Sequence, residues 1–93
     1  MINNQPLFKL EELEDSVLYD LFYEAGTILG GKLFKLRQEA KAAGNLQLAE
    51  DYRNEAREMR RIRESIASND RESQIRYKNQ WDKRAQELRE QRP

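Results

Sequence analysis

Cysteine and histidine are both absent from this 93-residue sequence, and glycine and proline are scarce, at four and two residues. The absence of cysteine and histidine excludes thiolate nucleophiles, disulfides, imidazole bases and the usual zinc and haem sites. The scarcity of helix breakers, together with a charged fraction of 37%, favours long helices over a sheet sandwich. We therefore expect an all-α protein that is not an enzyme and holds no metal or cofactor.

The length leaves room for a single helical domain over residues 1–93. The opening residues, Met-Ile-Asn-Asn-Gln-Pro, lack the basic and apolar regions of a secretory signal. The most apolar stretch, residues 17–36, contains Asp20, Glu24 and two lysines, and charged groups are costly in hydrocarbon. We predict a cytoplasmic protein with no membrane partner.

Two boundaries divide the chain into three predicted helices, at about residues 8–43, 46–67 and 70–90. At the first boundary, Gly44 suits the left-handed position that ends a helix, and Asn45 can cap the next helix. The second boundary is the polar stretch 65–73, where Ser68 or Asn69 can cap a third helix. Because the first connection is so short, its helices should be antiparallel neighbours. The prediction is an antiparallel helical hairpin with a third helix folded back on it, forming a small bundle.

Glycines interrupt the first predicted helix. The adjacent Gly30 and Gly31 cost roughly 2 kcal/mol relative to alanine, so a kink or a break at this pair is an open alternative. A continuous helix would leave its apolar N-terminal part projecting, whereas a break would allow a four-helix monomer. Gly26 and Gly30 also have the spacing that permits close approach of a second helix. We expect this spacing to make room for Trp81 or Tyr52.

The second and third helices offer only narrow apolar stripes. The predicted stripe of the second helix consists of Leu48, Tyr52, Ala56, Met59, Ile62 and Ile66. That of the third consists of Tyr77, Trp81, Ala85 and Leu88. The first helix is apolar round most of its circumference, and such a helix must be covered from several sides. The two stripes are too narrow for this, which predicts that the first helix binds another protein or a second copy of the chain.

The expected partner-binding residues are Leu13, Asp15, Val17, Tyr19, Asp20, Leu21, Phe22 and Tyr23. The patch around Tyr19 and Tyr23 is the first candidate, because aromatic residues dominate binding hot spots. The predicted mechanism is docking of a helix in a groove, with Leu13, Val17, Leu21 and Tyr23 as apolar anchors. Acidic side chains would set orientation and association rate.

The charges of the chain are unevenly distributed. Five basic and nine acidic residues precede Arg53, whereas twelve basic and eight acidic residues lie from that position onward. Within the basic half, an arginine face comprises Arg53, Arg57, Arg60 and Arg61. This face can contact phosphates or an acidic partner, although the chain is not basic overall as a dedicated nucleic-acid binder would be. The alternative function is therefore a nucleic-acid-binding accessory protein.

The segment Ser68-Asn69-Asp70-Arg71-Glu72-Ser73 resembles the Ser/Thr-x-x-x-Glu-Gly/Asn inhibitory motif of small helical antitoxins that silence Fic-domain AMP-transferases. In that family the glutamate pairs with a toxin arginine in the nucleotide site, which implies Glu72 as the matching residue. Ser73 departs from the final Gly or Asn of the motif. Capping of the third helix explains the same residues, so we assign no family on this ground.

These observations together predict a small helical module for protein–protein interaction. Such a module binds and blocks a partner, or bridges two of them. An antitoxin-like or phage-encoded inhibitor and an assembly adaptor all fit this description, and an oligomeric or coiled-coil form is expected.

Overall fold

The computed structural model describes residues 9–90, and these residues form an all-α bundle. A 3-10 turn at Leu10–Glu12 precedes three helices, α1 at Asp15–Ala42, α2 at Leu46–Ser65 and α3 at Arg71–Glu90. Both α2 and α3 pack against α1, and they make little direct backbone contact with each other. The radius of gyration is 15.0 Å, above the roughly 12 Å of a compact domain of this length. The predicted fold class is confirmed, with α1 as the helix that the other two share.

The connection between α1 and α2 is the tight turn that the sequence predicts. Gly44 has a φ of +79°, a left-handed conformation that glycine adopts without steric cost. The amide of Gly44 donates to the carbonyl of Lys41, and the amide of Asn45 donates to that of Ala40, which is the hydrogen-bond pattern of a Schellman motif. The Asn45 side chain accepts a hydrogen bond from the Leu48 amide at 3.1 Å. The first boundary prediction is therefore confirmed at the level of individual hydrogen bonds.

The start of α1 differs from the predicted start near residue 8, a position that itself lies outside the described residues. The helix begins at Asp15, after the extended residues Leu13 and Glu14. Arg71 explains the later start, since its guanidinium donates to the backbone carbonyls of Glu11 and Leu13 at 3.0 and 2.6 Å. It also pairs with the Asp15 carboxylate at 2.5 Å. A long-range contact thus holds this segment in a non-helical conformation, which local sequence patterns do not reveal.

The chain breaks between α2 and α3 as predicted, but the end of α2 and the residue that caps α3 both differ from the prediction. Helix α2 ends at Ser65, where residue 67 was expected, because Ile66 is extended. The cap of α3 is neither Ser68 nor Asn69, since the Asp70 carboxylate accepts a hydrogen bond from the Ser73 amide. The fully buried side chain of Gln74 closes the loop by donating to the carbonyls of Ala67 and Ser68.

The core lies along α1 and is covered by α2 and α3, which pack on adjacent sides of this helix. Its largest side chains are Phe22, Leu29, Leu33, Met59, Trp81 and Leu88. The Phe22 and Trp81 rings stack with their centroids 5.3 Å apart. The placement of Phe22 at a partner-binding surface is therefore wrong, because this side chain is fully buried in the core and stacks on Trp81 of α3. The expectation that a continuous helix leaves its apolar N-terminal part uncovered is wrong for Leu18 and Phe22, which are fully buried, whereas Val17 is 43% exposed.

Helix α1 runs through Gly30 and Gly31 without interruption. At Gly26, a methyl group in place of the hydrogen would lie 2.9 Å from the Met59 sulfur and 3.0 Å from Nη1 of Arg63. Met59 and Arg63, rather than the expected Trp81 or Tyr52, thus fill the space that this glycine leaves. At Gly31, by contrast, a methyl group would meet no atom within 4 Å among the described residues, apart from its chain neighbours and the adjacent α1 backbone.

Gly26 and Gly31 should respond in opposite ways to substitution by alanine. Gly26→Ala should lower the free energy of unfolding by about 1–3 kcal/mol, because the new methyl group overpacks the contact with α2. Gly31→Ala, the matched control, should raise it by about 0.5–1 kcal/mol through helix propensity alone. Urea denaturation of dilute protein measures both values. Equal effects of the two substitutions would contradict the packing described for Gly26.

Candidate functional site

The predicted partner-binding residues occupy distinct parts of the structure. Tyr19, Asp20 and Tyr23 lie on one flank of α1, and they form the tyrosine surface together with Glu24 and Thr27. Of the remaining predicted residues, Leu13 and Asp15 are held by Arg71, Val17 and Leu21 lie on the outer side of α1, and Phe22 is in the core. The structure therefore brings together only part of the expected set.

The tyrosine surface is a shallow depression of about 520 Å³. The rings of Tyr19 and Tyr23, one helical turn apart, have their centroids 6.1 Å from each other. Tyr19 also contacts the buried Phe22 ring, with a centroid distance of 5.9 Å, while Tyr23 is 44% exposed. One ring is thus anchored to the core and the other is presented to solvent.

Arg63 of α2 supports this surface from below. Its guanidinium carbon lies 3.8 Å from the centre of the Tyr23 ring, a distance typical of a cation–π contact. Its Nη1 donates to the carbonyl of Tyr23 at 3.0 Å and to Oγ1 of Thr27 at 3.1 Å. The side chain is only 9% exposed, and its Nε has no hydrogen-bond partner among residues 9–90. Arg63 therefore fixes the Tyr23 ring against the bundle.

Local sequence patterns did not indicate Arg63 as part of a site. In the sequence, Arg63 is one of several arginines of α2. Only the antiparallel packing of α2 on α1 brings its side chain to Tyr23. Arg63 lies four residues after Met59 and therefore on the same helix face as this member of the apolar stripe, which was the one signal that could have identified it.

Acidic groups border the tyrosine surface. Asp20 and Glu24 are exposed and lie one turn apart on α1. Among residues 9–90, neither carboxylate forms an ion pair or a side-chain hydrogen bond. Like charges at this spacing mildly destabilise a helix. Both carboxylates are therefore accessible to cations of a binding partner.

The arginine face is partly neutralised within α2. Arg53 pairs with Glu50 at 3.3 Å, and Arg61 forms a two-point contact with Glu58. The hydrogen bond from Arg61 lowers the pKa of the Glu58 carboxyl from its ordinary value. Arg57 and Arg60 are exposed and have no ion pair in the described range. The face is therefore a mixture of paired and unpaired cations.

A groove of about 420 Å³ separates α2 from α3. Leu29, Met59 and Trp81 contribute apolar lining, and charged side chains complete it. Arg84 of α3 reaches Glu55 of α2 through two hydrogen bonds, of 2.6 and 2.9 Å. This hydrogen-bonded contact raises the pKa of Arg84 above its ordinary value. The groove is thus spanned by an ion pair that links the two outer helices.

The described residues contain no cluster of carboxylates that could hold a metal ion. Within the same part of the chain, no helix is long and apolar enough to cross a membrane. The tyrosine surface offers an aromatic ring, hydroxyl groups and carboxylates, which is an arrangement suited to contact with a basic, partly apolar surface.

Comparison of the chain with protein-family models, with curated proteins and with solved structures found no match.

Substitutions of Arg63 should separate the packing of its alkyl chain from the contribution of its charge. Arg63→Ala should lower the free energy of unfolding by about 2–3 kcal/mol, because it leaves a cavity beside Gly26. Arg63→Met should change it by less than about 1 kcal/mol, because it fills the same space and removes a buried cation that lacks an acidic partner in the described range. The measurement is chemical denaturation of both variants. Equal destabilisation by Met and Ala would show that the charge itself stabilises the fold.

Proposed function

We propose that this chain is a small helical binding module that acts by occupying the surface of another protein. The observation that carries the proposal is the tyrosine surface, where an exposed aromatic ring is held on a helix beside two carboxylates that are unpaired within residues 9–90. Tyrosine supplies a large contact area at a low cost in conformational entropy, which makes it a frequent hot-spot residue. An antitoxin-like or phage-encoded inhibitor, or an assembly adaptor, would act in this way within the cytoplasm.

The chemistry of the tyrosine surface indicates the partner's character. Asp20 and Glu24 favour lysine or arginine side chains on the opposing surface, and they accelerate association with it. The Tyr23 ring is supported by Arg63 at its inner side, so little ordering of this side chain is required on binding. Preorganisation of this kind reduces the entropic cost of complex formation.

Photocrosslinking tests the proposed surface directly. A photoreactive phenylalanine analogue placed at Tyr23 should crosslink to one specific protein in cells that produce the chain. The same analogue at Asn79, an exposed residue on α3, is the control and should not crosslink to that protein. Equal capture at the two positions would contradict a role for the tyrosine surface.

Substitutions in the tyrosine surface should weaken binding of the purified partner by different amounts, depending on the residue changed. Tyr23→Ala should weaken binding by at least about tenfold, as expected for truncation of a hot-spot residue. Asp20→Asn should mainly slow association and reduce its dependence on salt. Asn79→Ala should leave affinity unchanged. Surface plasmon resonance measures these rates, and circular dichroism confirms that each variant keeps its helicity.

Nucleic-acid binding is the second candidate, and one observation favours it. Phe34 is 59% exposed and lies with Arg37, Arg53 and Arg60 around a small depression of about 60 Å³. An exposed aromatic ring among arginines suits the stacking of a base beside a phosphate. Salt distinguishes the two candidates, because counterion release makes nucleic-acid affinity fall steeply with salt concentration.

A further inference from the structure

The side of α1 that faces away from α2 and α3 carries a regular stripe, which we call the α1 seam. It consists of Val17, Leu21, Glu24, Ile28, Gly31 and Lys35. These positions alternate in steps of four and three residues, the spacing that forms a continuous contact line between two helices. Val17 is 43% exposed and Ile28 is 48% exposed. Leu21 is half-buried, and the other five positions are exposed. Helices α2 and α3 therefore leave most of the α1 seam uncovered.

Gly31 has no structural explanation within the described part of one chain. Gly26 and Gly30 are contacted by Met59, but at Gly31 no atom of residues 9–90, apart from the chain neighbours and the adjacent α1 backbone, lies within 4 Å of the corresponding space. Glycine in a helix interior is destabilising relative to alanine, and no positive φ requires it at this position. On the seam, the absence of a side chain at Gly31 allows another helix to approach the α1 backbone closely.

The charges of the seam are ordered along its length. Glu24 lies on the N-terminal side of Ile28, and Lys35 lies on the C-terminal side of Gly31. Neither residue forms an ion pair within residues 9–90. A second α1 running in the opposite direction would place Glu24 of each copy against Lys35 of the other. A parallel second helix would instead bring together two glutamates and two lysines.

We infer that α1 associates with α1 of a second copy of this chain in an antiparallel, two-fold symmetric contact. The axis passes between Ile28 and Gly31, so that Ile28 of each copy packs over Gly31 of the other. The Glu24–Lys35 pair then occurs twice, once on each side of the axis. This arrangement is the self-complementary surface that a two-fold dimer requires.

This inference extends beyond the proposed function, because it concerns a different side of α1. Tyr23 packs toward Arg63 of α2 and belongs to the flank rather than to the seam, and only Glu24 lies at the border of both. Dimerisation therefore leaves the Tyr23 ring accessible, and Tyr23→Ala should not alter the mass of the dimer. Because Glu24 contributes to both contacts, the proposals are distinguished by residues that belong to one surface only: Tyr23→Ala tests binding of the partner, and Lys35→Glu tests the dimer.

Charge reversal tests the dimer with the full-length chain. The wild type should sediment as a dimer in analytical ultracentrifugation. Glu24→Lys and Lys35→Glu should each raise the dissociation constant by at least about tenfold, because each creates two like-charge contacts. The double variant E24K/K35E should restore the dimer. All three variants should show wild-type helicity by circular dichroism, because both side chains are exposed. A monomeric wild type, a higher oligomer, or no restoration in the double variant would overturn the inference.

Disulfide trapping tests the direction of the helices. Because the chain contains no cysteine, each introduced thiol has a unique position. A mixture of the Glu24→Cys and Lys35→Cys variants should yield the mixed disulfide in preference to either symmetric one. Predominant linkage between two Glu24→Cys chains would indicate parallel helices and would overturn the antiparallel arrangement.

Discussion

The close approach of α2 to α1 at Gly26 is the contact on which the hairpin and the tyrosine surface both depend. Because this residue lacks a side chain, Met59 and Arg63 lie directly against the α1 backbone. Met59 then joins the core, and the guanidinium of Arg63 is directed to Tyr23 and Thr27. A methyl group at position 26 would displace both side chains. The same contact that holds the hairpin together therefore also supports the surface we propose as functional.

Local signals in the sequence were sufficient to predict the hairpin. Gly44 and Asn45 act through hydrogen bonds to residues within five positions, so composition and spacing reveal them. The start of α1 was not predictable in this way, because Arg71 holds the preceding segment from a distance of 56 to 60 residues along the chain. The burial of Phe22 likewise depends on α3, whose narrow apolar stripe gave no indication of which part of α1 it covers.

The candidate site shows the same division between local and long-range information. The pairing of Tyr19 with Tyr23 follows from helical periodicity and was predicted. The contribution of Arg63 was not predicted, because its contact with Tyr23 depends on the register between the antiparallel helices α1 and α2. Asp15 also differs from the expectation. Its carboxylate is engaged by Arg71, whereas Asp20 and Glu24 remain unpaired within the described residues. The free acidic groups are therefore those beside Tyr23 rather than the one at the helix start.

The position of α1 between the other helices explains why its remaining surface can carry two separate contacts. Helices α2 and α3 cover adjacent sides of α1 and leave its flank and its outer side exposed. On the flank, Tyr23 is fixed by Arg63, so this surface is tied to the packing of the hairpin. On the outer side, Ile28 is 48% exposed, and at Gly31 no other part of residues 9–90 fills the space that a side chain would occupy. Since the flank depends on α2 and the outer side does not, a change in hairpin packing would alter the first surface and leave the second intact.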